Sequence, residues 1–397
     1  MVKEMLTKVI DTVDKSVRKY DNLRLIILPY MLPDFLHIWN SIYQKVSPNI
    51  FSLELDFKQV PDQSIVILLA TTIEMMLNLQ SLSICFLSGP HSFVDIRHFS
   101  MQHVKLHSTN YIAVDMPQLE SFEGPLDALK KPYPTSQPLV LTKLKHVTLT
   151  FGPDNLDGPS IIHRLAQAET MKLMFRLTAD LFLAICEACT ALKELYFWHV
   201  TVSDRATTRN LSQLVNLRQL TFHTISIEGQ GSFNLDLDLR ELNQLEELDI
   251  GSIDLGVTSI LYLPVSMRVL TVRISAQNEE SIIHSIASCS PRLQKLRLVY
   301  DASNNTEVNW YTMKCPNLFE RLEELEFVNA LFSEAVFIAM SDPMYRLYQL
   351  RFENTNLNVE HIKKLKEMFG NWTKVDAFND KIESIPTTVE ELVAEEN

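Results

Sequence analysis

Apolar residues recur along this chain in one short frame, at its first, fourth and sixth positions. Leu192, Leu195 and Phe197 fill one copy, and Leu217, Leu220 and Phe222 fill the next. The fourth and sixth positions alternate with polar neighbours, which is the period of two expected of a strand with one buried face. Earlier copies begin at Tyr20 (Leu23, Leu25), Ile50 (Leu53, Leu55), Leu79 (Leu82, Ile84), Met101 (Val104, Leu106), Leu144 (Val147, Leu149) and Ala168 (Met171, Leu173). Later copies begin at Leu245 (Leu248, Ile250), Met267 (Leu270, Val272), Leu293 (Leu296, Leu298), Leu322 (Leu325, Phe327) and Leu347 (Leu350, Phe352). The frame is degraded at Leu119, where Phe122 follows, and at Trp372, where Val375 follows.

The spacers carry a different period. Residues 65–76, 180–189, 279–289, 334–340 and 359–369 place apolar side chains at i, i+3 and i+4, which predicts helices. The unit is therefore strand, turn, helix, turn. One such unit cannot bury its own apolar face, so the copies must stack, with parallel strands inside a curve and helices outside. Residues 1–19 set Val2, Leu6, Val9, Val13 and Val17 at helical spacing and are expected to form an N-terminal capping helix. Residues 20–379 form the solenoid, with an irregular loop near 107–140, where Pro117, Pro125, Pro132, Pro134 and Pro138 crowd together. Further loops are expected at 226–236 and 301–309. Residues 380–397 end in Glu390, Glu391, Glu395 and Glu396 and read as an acidic tail.

The mean period is about 25 residues over about 14 copies, inside the range of roughly 20–29 that marks leucine-rich repeats. The chain resembles that family along nearly its whole length. The resemblance implies an α/β fold: a leucine-rich-repeat solenoid, or horseshoe, with a parallel inner β-sheet and helices on the convex face. More narrowly, the chain resembles F-box and leucine-rich-repeat proteins of the ribonuclease-inhibitor-like type. The residues that carry this are the junctions Cys189-Thr190-Ala191-Leu192 and Cys315-Pro316-Asn317-Leu318, with the lead-in from Ser16 to Leu25. That family docks an F-box on the adaptor of a cullin ubiquitin ligase and holds the substrate on its repeats. Here Leu32-Pro33-Asp34-Phe35-Leu36 and Trp39 are the nearest match to an F-box, and the chain before Ile50 is too short for its three helices. The F-box itself is read as absent, so the adaptor is an expected partner only if an F-box lies upstream.

Composition narrows the classes. The chain of 397 residues carries a net charge of −13 and is 46% hydrophobic and 21% charged. A large core is affordable in composition, and disorder is excluded. An acidic chain lacks the basic footprint of a nucleic-acid binder or of a protein held on anionic membranes, so neither partner is expected. Cys85, Cys186, Cys189, Cys289 and Cys315 are odd in number and mostly in apolar surroundings, which fits a reducing, cytoplasmic or nuclear location. No signal peptide or membrane span is read in the sequence.

Catalytic motifs are lacking: there is no phosphate-binding loop, dinucleotide fingerprint, nucleophile elbow or zincin helix. Cys186-x-x-Cys189 has no second pair, and Cys189, Cys289 and Cys315 recur just before a leucine, which points to burial. His103, Lys105 and His107 share one side of a strand, but the two histidines are about 13 Å apart by strand rise, too far to share a metal. The sequence therefore implies no enzyme, no cofactor and no metal.

Positions 3, 5 and 7 of each frame face away from the core and line the inner sheet. They include Glu194, Tyr196 and Trp198, then His223, Glu247 and Asp249. Further on, the signs alternate through Arg273, Lys295, Arg297, Glu324, Glu326 and Arg351. Exposed Tyr and Trp are enriched at binding hot spots, and lateral charges of opposite sign select partners. The expected function is non-enzymatic protein binding on the concave face, as the substrate-recognition part of an F-box-type ubiquitin ligase receptor. The alternative is a ligase-independent scaffold or inhibitor that holds one partner there.

Overall fold

Parallel pairing at matching frame positions organises the protein, and it does so within two compact units, Met1–Leu192 and Lys193–Asn397. The computed structural model describes residues 20–86, 94–107, 112–130, 141–152, 157–202, 205–227, 236–253, 260–301, 307–339, 347–370 and 373–378, with Lys8, Asp11 and Lys15. The rest of the expected capping helix at 1–19 lies outside the described residues. So do the acidic tail at 380–397 and most of the loop residues near 226–236 and 301–309.

The described residues of the first unit form nine strands: β1 (Asn22–Ile27), β2 (Ser52–Phe57), β3 (Ser81–Phe86), β4 (Val94–Arg97), β5 (His103–His107), β6 (Ile112–Asp115), β7 (Ser121–Gly124), β8 (His146–Leu149) and β9 (Thr170–Leu177). Its main sheet runs β1-β2-β3-β5-β7-β8-β9, parallel at every step. The register sets the fourth frame position of each copy in one row: Leu23, Leu53, Leu82, Val104, Phe122, Val147 and Met171. From Leu53 onward that row is buried. A slip of one residue would turn each of these side chains to solvent, so burial of this face fixes the register.

Helices Phe35–Val46 and Gln63–Glu74 close the other side of that core. The ring of Phe35 meets Phe57 of β2 edge-on at 5.3 Å. Trp39, fully buried, donates its indole N–H to Thr72 Oγ1 at 3.0 Å and so ties one helix to the next. Helices Gly158–His163 and Ala179–Ala188 fill the same role for the last repeats of the unit.

The outer layer is not helical throughout, which corrects the expectation of helices along the whole convex side. The intervals from Leu79 to Met101 and from Met101 to Leu119 are shorter, and an extended chain crosses such a distance with fewer residues than a helix. There β4 and β6 pair in parallel as a separate two-stranded sheet. Strand β4 packs beside helix Gln63–Glu74, and β6 beside the 3-10 turn Leu126–Leu129. Residues 112–130 of the expected irregular loop are thus regular and carry β6, β7 and this turn, while 108–111 and 131–140 lie outside the described residues.

The second unit contains β10 (Glu194–Val202), β11 (Gln219–Phe222), β12 (Ile225–Ile227), β13 (Asp236–Asp238), β14 (Glu247–Ile250), β15 (Ile260–Tyr262), β16 (Val269–Arg273), β17 (Lys295–Val299), β18 (Glu324–Val328), β19 (Gln349–Glu353) and β20 (Lys374–Phe378). Its main sheet runs β10-β11-β14-β16-β17-β18-β19-β20, again parallel, and β12 pairs with the second half of β10. One buried row runs Leu195, Leu220, Leu248, Leu270, Leu296, Leu325, Leu350 and Val375. The sixth positions stack their rings where they are aromatic: Phe197 on Phe222 at 5.0 Å, and Phe327 on Phe352 at 5.6 Å. Behind them stand helices Glu279–Cys289, Trp310–Met313, Glu334–Ala339 and Val359–Phe369, with the pair β13-β15. Asn358 caps the last helix, accepting from the His361 amide at 2.9 Å.

Asn329 and Asn354 follow β18 and β19 at the same place in their frames, both with positive φ. Asparagine tolerates this left-handed conformation better than most residues. Each then donates its amide to the next strand, Asn329 to the Glu353 carbonyl and Asn354 to the Phe378 carbonyl, both at 2.9 Å. Among the described residues no helix is long and apolar enough to cross a membrane.

Candidate protein-binding face

Strand alternation sends the third, fifth and seventh frame positions to the side opposite the leucine row. In the second unit the register makes three further rows of them. The first runs Glu194, Gln219, Glu247, Val269, Lys295, Glu324, Gln349 and Lys374. The second runs Tyr196, Thr221, Asp249, Thr271, Arg297, Glu326, Arg351 and Asp376. In the third, Trp198 lies beside His223, and Arg273, Val299, Val328 and Glu353 are lateral neighbours further on. All twelve site residues expected from the sequence therefore share one face of one unit.

Trp198 does not fold into the core. It is 43% exposed, and its ring stacks on His223 with centroids 4.1 Å apart and planes 26° apart. Thr224 Oγ1 lies 3.2 Å from His223 Nδ1 and holds that ring from behind. Tyr196 is half-buried; burial first, and the charge of Asp249 second, push its hydroxyl above the usual tyrosine range.

The charges divide into two groups. In the far half they neutralise one another. Lys295 Nζ lies 3.2 Å from Glu324 and 4.0 Å from Glu326. Arg297 contacts Glu326 at 3.3 Å and Glu353 at 2.7 Å. Arg273 pairs with Asp301 at 2.9 Å, and Asp376 takes both Lys374 at 3.0 Å and the Gln349 amide at 2.6 Å. In the near half, no Lys or Arg among the described residues comes within ion-pair distance of Glu194, Glu247 or Asp249. Asp249 Oδ1 accepts the Gly251 N–H at 2.9 Å, which orients that carboxylate. Arg351 has no acidic partner among the described residues, and its buried Nε–H meets no acceptor there.

The partners Asp301, Gln349, Glu353, Lys374 and Asp376 were not singled out in the sequence. Glu353 is the seventh position of the Leu347 frame and Asp376 the fifth of the degraded Trp372 frame, so the same alternation rule reaches both. Asp301 lies beyond its strand, and no frame rule reaches it.

The two weaker constellations resolve locally. Lys105 pairs with Glu123 at 2.9 Å, and His107 Nε2 lies 4.0 Å from the same carboxylate. Cys186 and Cys189 are fully buried, and burial pushes both thiols up to about 12. Thiols held this strongly protonated are poor nucleophiles and poor metal ligands at neutral pH. Among the described residues no three His, Cys, Asp or Glu side chains converge as a metal site would require.

No protein-family model matches this chain, and a search of curated proteins finds no match either.

Proposed function

We propose that the protein is a leucine-rich-repeat solenoid whose open sheet face, in its second unit, binds a protein partner without catalysing a reaction. The observation that carries this reading is the exposed Trp198–His223 stack beside Tyr196, on a sheet whose leucine side is buried and whose other side carries three rows of mainly polar and aromatic groups. Eight parallel strands at about 4.8 Å spacing offer a face wide enough for a standard interface of about 800 Å² per partner.

The resemblance to F-box and leucine-rich-repeat proteins supports a substrate-recognition role in a ubiquitin ligase receptor. One observation favours the second reading, a ligase-independent scaffold or inhibitor. The segment nearest in pattern to an F-box belongs to the first repeat: Phe35 packs on Phe57, and Trp39 bonds Thr72.

Affinity capture of the tagged protein from cells separates these readings. A partner held on this face is lost from the Tyr196→Ala capture, which weakens binding by about 2 kcal/mol or more while leaving thermal stability unchanged. Cullin and adaptor in the wild-type capture select the receptor reading, and their reproducible absence selects the scaffold. A captured partner that ignores Tyr196→Ala sinks the face as the binding surface.

A further inference from the structure

We infer that the near half of this face takes a cationic side chain, Arg or Lys, from an extended segment of the partner protein. The inference rests on the reading of the face as a protein-binding surface and names the chemistry it selects.

Three observations converge on it. An indole ring is the best of the aromatic faces for a cation, and Trp198 is held out in solvent by its stack on His223 rather than turned inward. The carboxylates of the near half are unneutralised: Glu194, Glu247 and Asp249 meet no Lys or Arg among the described residues, and Asp249 is the one that register brings closest to the ring pair. Asp249 is diagonal to His223 on the neighbouring parallel strand, which by strand spacing and rise places the two positions about 8 Å apart. One cation over the ring pair therefore lies within reach of a carboxylate that the Gly251 amide already holds in place.

The far half makes the complementary point. Its cations Arg273, Lys295 and Arg297 each hold an acidic partner on the same unit, so an incoming anion would have to displace an existing pair. The exception, Arg351, stands on β19, four strands beyond Asp249. The net charge of −13 would also draw a basic segment from a distance.

Fluorescence anisotropy at low salt tests this with three labelled peptides, each of three Gly-X-Gly units in which X is Arg, Gln or Asp. The full-length protein is compared with Trp198→Ala, with Glu247→Gln/Asp249→Asn, and with Glu187→Gln, which removes an exposed charge from helix Ala179–Ala188. The Arg peptide should bind in preference to the Gln and Asp peptides. Both face variants should raise its Kd by about tenfold or more, while Glu187→Gln leaves it nearly unchanged. Circular dichroism of each variant separates loss of binding from loss of fold, and the double carboxamide variant tests the site even if Trp198→Ala is unstable. Failure of the Arg peptide to bind, equal weakening by Glu187→Gln, or indifference to both face variants overturns the inference. Partner capture keeps the two claims apart. Loss on Tyr196→Ala with none on Glu247→Gln/Asp249→Asn leaves the face standing and removes the cation.

Discussion

The Arg297 guanidinium reaches past β18 to bond Glu353 on β19 at 2.7 Å, while its Nε stays 3.3 Å from Glu326 on the strand between. One cation thus joins three consecutive repeats. Glu326 is only 12% exposed, so it depends on Arg297 and Lys295 more than a surface carboxylate would. Both Arg297 and Glu353 are a third or more exposed, and water screens them.

Arg297→Gln should therefore destabilise the protein by only about 1 kcal/mol. Urea unfolding at low salt and at about 1 M salt measures it, since salt shortens the reach of exposed charges to about 3 Å. The gap between variant and wild type should shrink at high salt. A gap that salt leaves untouched would mean that Arg297 acts through packing.

Glu279 gives a pH dependence. Its carboxyl is buried, and it accepts from the Tyr300 hydroxyl at 2.8 Å, from the Thr312 hydroxyl and from the Asn309 amide at 3.3 Å. Burial dominates these three donors and raises its pKa above the ordinary glutamate value. The folded protein then holds a proton that the unfolded chain has released. The stability tied to that proton is complete below the unfolded pKa and is lost as pH rises through the folded pKa. Glu279→Gln keeps acceptor and volume but cannot ionise, so its unfolding free energy should lack this decline between acid and neutral pH. Glu279→Ala should cost about 2 kcal/mol or more, because the Tyr300 and Thr312 hydroxyls lose their acceptor. Unfolding curves across the pH range decide. A Gln variant that tracks the wild-type slope would remove Glu279 as its source.

Thiol labelling should separate the five cysteines by burial. Cys186, Cys189 and Cys315 are fully buried, whereas Cys85 and Cys289 are partly exposed. With thiols pushed up to about 12, Cys186 and Cys189 present only about one thiolate in ten thousand at pH 8. A disulfide-exchange reagent should modify Cys289 and Cys85 in the native protein and reach the buried three only in denaturant. Mass spectrometry of the labelled peptides reads the order directly. Native labelling of Cys186 would show that its helix opens without global unfolding.

Much of the fold was legible because one rule, alternation with burial on one side, repeats at every strand. It placed Leu195 beside Leu220 and Leu325 beside Leu350, and it put all twelve candidate residues on a common face. The short outer strands were not legible. Three- and four-residue segments such as Asp236–Asp238 and Val94–Arg97 are too brief to show a period. Nor could alternation tell which charges are satisfied. The near carboxylates and the far ion pairs differ in what lies on the next strands and in the loop that supplies Asp301, and that depends on pairing rather than on spacing.

The degraded frame at Leu119 shows how a sequence pattern can weaken without a loss of packing. Gly124 sits at its sixth position, where the other copies carry Leu, Ile, Val or Phe, except the degraded last copy, which has Ala377. A Cβ placed there would come within 2.9 Å of Phe122 Cζ, 3.1 Å of Leu106 Cβ and 3.3 Å of the Leu106 carbonyl oxygen. The Phe122 ring thus takes the volume that position six fills elsewhere, and both residues are buried. Gly124→Leu completes the repeat pattern, yet it should destabilise the protein by about 2 kcal/mol or more through overpacking. Phe122→Leu alone should also destabilise, by opening a cavity. Together the two substitutions exchange volume between neighbouring positions, so the double variant should recover at least half of the loss, a coupling expected of residues in contact. Thermal unfolding of the two single variants and the double variant measures this cycle. A neutral or stabilising Gly124→Leu would show that the ring is not what makes glycine necessary.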